Sequence, residues 1–318
     1  KLRKLPGSPN GLFPVSDQGG RLRSVQEACV MGFVRSNWPT YRCECGNETI
    51  YSLCEQCGKP TERFYYCIEC KETMKFPCEN HERRNRFTKH NVEIKKYFDS
   101  ATGLLGYKDY EIPPLVKGVR ALTNKGNDFE HLSKAILRAK FNLAVNKDGT
   151  IRYDGTEVPL THFKPKEIGV SLEKLKELGY INDIEGNPLT SIEQILELRP
   201  HDIILPSCSV SDDEKADDVF FNIAEFIDEE LERLYKLPRY YNLKNKSDLI
   251  GQLIVCMAPH NCAGVIGRII GFCEVQGIVA SPYMHAAIRR DCDGDEAAVM
   301  MLMDVLINFS RKFLPSHR

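Results

Sequence analysis

A chain of 318 residues has room for two or three domains and a sizeable core. Its 43 Lys plus Arg against 44 Asp plus Glu leave a formal net charge of -1, which excludes a globally basic nucleic-acid binder and confines any phosphate contact to local patches. No stretch approaches about 18 uninterrupted apolar residues and no signal-peptide pattern opens the chain, so the expectation is a soluble, cytoplasmic protein with no membrane partner. The start at Lys1 without methionine suggests a piece of a longer polypeptide.

Lys1-Leu2-Arg3-Lys4 is a basic start that, taken alone, reads as solvated; Pro6, Gly7, Pro9, Gly11 and Pro14 then predict irregular backbone. Ser24 to Met31 reads as a short helix. Of the 13 cysteines, seven fall between Cys43 and Cys78 in tight pairs, a pattern of zinc sites in a reducing compartment rather than of a disulfide scaffold. Cys43-x-Cys45 with Cys54-x-x-Cys57 supply four thiolates, with Gly46 and Gly58 placed for knuckle turns. Cys67-x-x-Cys70 with Cys78-x-x-His81 supply three thiolates and one imidazole. Full tetrahedral coordination with no open position marks both as structural zinc sites, free thiols or an iron–sulfur cluster being the alternatives. Cys29, Cys208, Cys256, Cys262, Cys273 and Cys292 are scattered and read as small buried hydrophobes. Arg83, Arg84, Arg86, Lys89, Lys95 and Lys96, interleaved with Phe87, Tyr97 and Phe98, form a local basic patch that suits nucleic-acid phosphates and the solvated face of a zinc module equally. His90 reads as a surface histidine.

Beyond residue 100, a helix is predicted over Asp128 to Ala139. A hairpin is predicted over Phe141 to Tyr153, turning at Asp148-Gly149. Val158 to Lys166 reads as strand and loop. Ser171 caps a helix ending at Gly179, and Ser191 caps another ending before Pro200. Ser207 to Asp218 reads as a mobile acidic surface loop. Phe220, Ile223, Phe226, Ile227, Leu231 and Leu234 mark a long amphipathic helix, and Leu249 to Cys256 is an apolar strand or helix. The alternation of short strands and helices gives an α+β class.

The most informative stretch is Arg289-Arg290-Asp291-Cys292-Asp293-Gly294-Asp295-Glu296. Extended backbone sends residues i, i+2 and i+4 to one side, so Asp291, Asp293 and Asp295 can converge, with Gly294 allowing a sharp bend. Carboxylates that close repel unless a cation sits between them, and hard oxygen ligands select Mg²⁺ or Mn²⁺. An EF-hand fails in register: counted from Asp291, position six is Glu296 and position twelve is Leu302. An acidic surface turn is the bland alternative, disfavoured because the apolar run Val299 to Leu314 predicts a buried helix alongside. His260, His285, Arg268, Arg289 and Arg290 lie within the same short region and are the groups a triphosphate or phosphodiester backbone needs.

At this point the chain resembles a known family. Met257-Ala258-Pro259-His260 through Gly264, Gly267-Arg268-Ile269-Ile270-Gly271-Phe272, Pro282-Tyr283-Met284-His285-Ala286-Ala287 and the acidic stretch resemble the large subunit of the archaeal D-family DNA polymerase. So do Thr161-His162-Phe163-Lys164-Pro165-Lys166-Glu167-Ile168-Gly169, Leu237-Pro238-Arg239-Tyr240-Tyr241-Asn242 and Leu12-Phe13-Pro14. The matches keep their order over essentially the whole chain and correspond to the central-to-C-terminal catalytic portion of a much larger subunit.

The resemblance implies a catalytic core similar to that of multisubunit RNA polymerases, with two facing double-psi β-barrels, one bearing an acidic motif and the other lysines. It implies that Asp293 and Asp295 are the metal-binding catalytic aspartates. Asp291 stands where the family has asparagine, and Ala297 stands where it commonly has another acid. The family's lysine pair falls on Lys1 and Lys4, which replaces the bland reading of the basic start. The expected layout is the end of an upstream barrel and connector over 1–40, a zinc module with two sites over 41–100, and a catalytic barrel with helical insertions over 101–318.

The expected function is template-directed DNA synthesis by two Mg²⁺ or Mn²⁺ ions, with Lys1, Lys4, Arg289 and Arg290 neutralising phosphate charge and Arg268, His260 and His285 contacting substrate or DNA. Two structural Zn²⁺ complete the cofactors. The implied partners are primer–template DNA, deoxynucleoside triphosphates, a small nuclease subunit and a sliding clamp, at the nucleoid of an archaeal cell. An RNA polymerase-like nucleotidyltransferase and a non-catalytic zinc-containing scaffold are the alternatives.

Overall fold

The computed structural model describes residues 8–81, 86–210, 214–261 and 263–315. Lys1, Lys4, Arg83, Arg84 and Cys262 therefore lie outside the described residues. The described residues are mixed α+β and divide into two units, one of residues 8–149, 232–237 and 310–315 and the other of residues 150–231 and 238–309.

In the first unit, helix α1 (Val25–Met31) forms as the sequence predicts, with the Ser24 hydroxyl accepting from Glu27 N–H and Gly32 closing the end at φ 86°. Strand β1 (Val34–Trp38) is followed by β2 (Thr40–Arg42), β3 (Glu48–Thr49), β4 (Glu62–Cys67) and β5 (Glu72–Met74), which pair antiparallel in the order β3-β2-β4-β5. Strand β6 (Thr88–Val92) returns antiparallel to β1. Helices α2 (Ile94–Leu105) and α3 (Leu132–Lys140) complete this unit. Phe13, Trp38 and Phe129 pack with ring centroids 5.3 to 5.7 Å apart, and the Trp38 indole N–H donates to the Val34 carbonyl, so the large ring is buried without an orphaned donor.

A buried ion pair ties this unit together. The Arg138 guanidinium donates to both Glu130 oxygens at 2.9 Å and to the Gly149 carbonyl at 2.9 Å, while Glu130 also accepts from Leu12 N–H. Both side chains are almost wholly enclosed. Glu130→Ala, which strands a buried guanidinium, is expected to destabilise this unit by roughly 3–5 kcal/mol in chemical unfolding, far more than a surface pair contributes.

The second unit is built on a closed barrel. Its strands are β7 (Tyr153–Pro159), β10 (Asp202–Pro206), β11 (Leu253–Met257), β12 (Val265–Cys273), β13 (Ile278–Ala280) and β14 (Glu296–Met301), in the order β10-β12-β11-β14-β7-β13. β10 with β12 and β13 with β7 run parallel, and the other four pairs run antiparallel. Two short strands, β8 (His162–Phe163) and β9 (Leu196–Glu197), pair outside it. Helices α4 (Leu172–Glu177), α5 (Ala216–Glu229), α6 (Pro282–Ala287) and α7 (Leu302–Asn308) decorate the barrel. Phe163, Ile168, Leu175, Leu189, Leu196, Ile204 and Ile270 form one core cluster, and Val255, Met257, Ala298 and Met300 another. Gly271 is required where β12 meets the first cluster, since a Cβ there would lie 2.8 Å from Ile168 Cβ.

Ser171 and Gly179 bound α4 as predicted. Three local expectations are corrected. The Asp148-Gly149 turn exists, but its flanks do not pair as a hairpin: Val145 N–H goes to the Pro9 carbonyl and Ile151 N–H to Asp304. No helix follows Ser191; the Gln194 side chain accepts from Thr190 and Ser191 N–H, and the chain enters β9. The apolar run after Glu296 opens as strand β14, because a segment buried on both faces has no period to separate strand from helix. Among the described residues, no helix is long and apolar enough to cross a membrane.

Candidate metal centres and active site

The cysteine pairs converge as two sets of four. Cys43, Cys45, Cys54 and Cys57 bring their sulfurs together, as do Cys67, Cys70, Cys78 and the His81 imidazole. A tetrahedron with zinc–sulfur bonds of about 2.3 Å has sulfur–sulfur edges of roughly 3.8 Å and sulfur–nitrogen edges near 3.6 Å. The observed edges fit: 3.4 Å for Cys43–Cys57, 3.7 Å for Cys45–Cys54, 3.8 Å for Cys70–Cys78, and 3.4 to 3.5 Å from His81 Nδ1 to the three sulfurs of its set. His81 presents Nδ1 to the thiols while Nε2 lies 2.9 Å from a Glu69 carboxylate oxygen, the outer partner that fixes an imidazole ligand's orientation.

The thiol environments favour metal binding. Burial pushes the Cys54 thiol up, but hydrogen bonds from the Asn47 side chain and from the Cys57 and Gln56 N–H groups outweigh it and bring it to about 6. The Cys70 N–H lowers Cys67 against its burial, to about 7, while sharing with Cys67 and Cys78 pushes Cys70 up to about 12. Crowded thiols with donors aimed at them are a set that can hold zinc.

The described part of the basic patch is divided: Arg86 and Lys89 are exposed, and Lys95 and Lys96 are engaged within their own module. Lys95 pairs with Asp99, Lys96 with the nearly enclosed Glu55, and Arg63 stacks over Phe87 while Tyr97 is buried. His90 bonds within its own strand to Thr88.

The acidic stretch connects α6 to β14. Arg289, Cys292 and Gly294 adopt positive φ of 63°, 66° and 96°, so the connection is a tightly wound loop. Register between β14 and β7 sets Glu296 opposite Thr156, which places Glu157 beneath the loop. There Glu157 N–H donates to the Asp295 carbonyl at 2.9 Å, and Glu157 Oε1 accepts from Asp293 N–H at 3.0 Å and from Asp295 N–H at 3.4 Å. Glu157, Asp291 and Asp293 each offer a carboxylate oxygen within 4.8 Å of the others. Octahedral coordination at about 2.1 Å needs oxygens roughly 3 to 4 Å apart, so a small inward movement of these three carboxylates suffices to hold a hard divalent ion. Repulsion from Asp291, then from Asp295, with burial and Glu157 adding, holds the Asp293 carboxyl above the usual carboxylate range. A cation between these groups relieves that repulsion.

The other predicted site residues are distributed as follows. Asp295 is paired with Arg290, whose second nitrogen lies 2.9 Å from His260 Nδ1, forming a chain along the rim of the loop. Arg289 is exposed beside them. His285 is buried behind the loop, with Nε2 donating to the Val158 carbonyl at 3.2 Å and Nδ1 3.4 Å from Glu157 Oε2. Arg268 is engaged within the fold: its guanidinium donates to both Asp202 oxygens and to the Leu178 carbonyl, and the Tyr180 hydroxyl completes the buried carboxylate's shell. Glu157 is the residue that sequence reasoning missed. Its signal was available, because strand alternation puts it on the inward face with Tyr153 and Gly155, and an inward carboxylate demands partners.

Two family models match the chain: DNA polymerase II large subunit DP2, catalytic domain, over residues 109–318, and DNA polymerase II large subunit DP2, central domain, over residues 1–76. The chain belongs to the DNA polymerase II large subunit family. The catalytic-domain match spans the whole barrel and the acidic loop, and the central-domain match holds the first cysteine set with Cys67 and Cys70. Relatives named DNA polymerase II large subunit include those of Nanoarchaeum equitans at 46% identity, Archaeoglobus fulgidus at 43% and Pyrococcus furiosus at 41%, each over 100% of this chain. The chain spans 28%, 28% and 25% of the length of these three relatives.

Proposed function

We propose that this chain is part of the catalytic core of a DNA-directed DNA polymerase, adding deoxynucleotides to a primer 3′-hydroxyl. The observation that carries this reading is the convergence of Asp291 and Asp293 in one loop of a barrel that the catalytic-domain family model spans. Asp291 and Asp293 would hold a divalent ion, Mg²⁺ or Mn²⁺, and Asp295, paired with Arg290, stands next to them as a further carboxylate. Ions bound there supply the Lewis acidity of nucleotidyl transfer, lowering the pKa of the attacking hydroxyl and stabilising pyrophosphate. Arg290 and Arg289 present positive charge at the rim for the triphosphate, with His260 orienting Arg290. Lys1 and Lys4 are assigned the same task from the facing barrel by resemblance.

The mixture of parallel and antiparallel pairs in a closed six-stranded barrel supports a double-psi reading of the fold. Both cysteine sets are read as structural Zn²⁺ sites. Primer–template DNA, deoxynucleotides and a small nuclease subunit are the partners of the whole enzyme, with a sliding clamp beside them, at the nucleoid of the cell. The test is Mg²⁺-dependent primer extension by the full-length large subunit with its small subunit, offered deoxy- and ribonucleotides separately. Extension with deoxynucleotides that disappears in Asp293→Asn and Asp295→Asn is expected. Preference for ribonucleotides would turn the assignment to RNA synthesis, and extension that survives both variants would leave the chain a scaffold.

A further inference from the structure

We propose that Glu157 is a positioning residue for the acidic loop, its enclosed carboxylate fixing the turn in which Asp291 and Asp293 converge. This rests on the polymerase reading of that loop. Three bonds join this one residue to the loop: its N–H to the Asp295 carbonyl, and its Oε1 to the N–H groups of Asp293 and Asp295. Positive φ at Cys292 and Gly294, on either side of Asp293, turns those N–H groups into a concavity that suits an anion. The anion seated there is the protein's own.

The turn needs an external hold. Cys292 adopts a left-handed conformation that a residue with a Cβ disfavours, and three like charges on alternate residues push the loop open. Glu157 is suited to resist both, because its side chain is fully enclosed and its second oxygen lies against the buried His285 ring. His285 is in turn anchored to the Val158 carbonyl next along β7. The loop's geometry is thereby referred to the barrel wall.

The same carboxylate is near enough to Asp291 and Asp293 to be a third metal ligand, and two conservative variants separate the roles. Glu157→Gln keeps an acceptor oxygen at the same reach and loses the charge. Glu157→Asp keeps the charge and falls one methylene short. Both are made in the full-length large subunit assembled with its small subunit, beside Asp293→Asn. Backbone hydrogen exchange over residues 289–297 is read without metal, and kcat for primer extension is read at saturating Mg²⁺. A positioning role predicts that Gln holds exchange within about 2-fold of wild type and kcat within about 5-fold. It predicts that Asp speeds exchange in this segment by about 10-fold and lowers kcat by roughly 10- to 100-fold, the usual range for a lost outer-shell partner. An Asp variant that equals or surpasses the Gln variant in either readout overturns the proposal. Extension that survives Asp293→Asn overturns the polymerase reading of the loop and leaves the exchange result to judge Glu157 by itself.

Discussion

Asp293→Asn is expected to lower kcat for primer extension by on the order of 10³-fold, with primer–template affinity within about 3-fold of wild type. Asparagine keeps the shape and one oxygen but removes the charge that pulls a divalent ion into a site where it must hold through the transition state. Asp293 is crowded by like charge, and repulsion from Asp291 and Asp295 holds its carboxyl above the usual range. Its ionised form therefore gains from a cation. The substitution relieves repulsion in the metal-free loop, so the same variant is expected to melt no lower than wild type without Mg²⁺ and to lose the upward shift in Tm that Mg²⁺ gives wild type. Loss of DNA affinity in step with kcat would show that the loop binds template and not metal.

Removing one thiolate from either cysteine set is expected to have the largest structural effect. Structural zinc contributes roughly 10–16 kcal/mol to the folding of small metal-organised modules. The sheet β3-β2-β4-β5 has little else to stand on: its strands run two to six residues, and Tyr65 and Tyr66 on β4 are only half-buried. Cys54→Ser and Cys67→Ser are each expected to leave the full-length subunit with one zinc ion fewer by elemental analysis. Protease sensitivity should rise within the mutated module, and the buried barrel of the other unit should stay resistant. Unchanged zinc content in Cys67→Ser would remove the Cys67, Cys70, Cys78 and His81 set from the list of metal sites.

The parts of this molecule that were legible in sequence are those whose chemistry is local. The two cysteine sets and the Ser171 cap declare themselves by spacing within a few residues, and the structure brings the predicted ligands of each cysteine set together, whereas the acidic stretch is a wound loop and not extended backbone, gathering Asp291 and Asp293 with Glu157 while Asp295 pairs with Arg290. What stayed hidden depends on distant pairing. The His81 partner Glu69 lies inside the Cys67-x-x-Cys70 knuckle, where the ligand spacing does not single it out, and Glu157 meets the loop 136 residues further along the chain. Arg268 looked like a phosphate ligand because it shares a short stretch with His260 and His285, yet its strand neighbour Asp202 claims its guanidinium. The apolar segment after Glu296 was misread for a related reason, since only the neighbours β11 and β7 decide that it is a strand.

Joining Glu157 to the loop from 136 residues away also bears on the order in which the molecule is made. During synthesis β7 emerges first and waits while some hundred and forty residues follow, including the remaining five strands of the closed barrel. Contacts that close such long spans are the slow ones. The aspartates leave the ribosome just ahead of β14, the last strand of the ring, and they acquire their underlying carboxylate only when β14 docks between β11 and β7. Competence to capture the ion thus coincides with ring closure, and a half-made chain presents no assembled acidic pocket to the divalent ions around it.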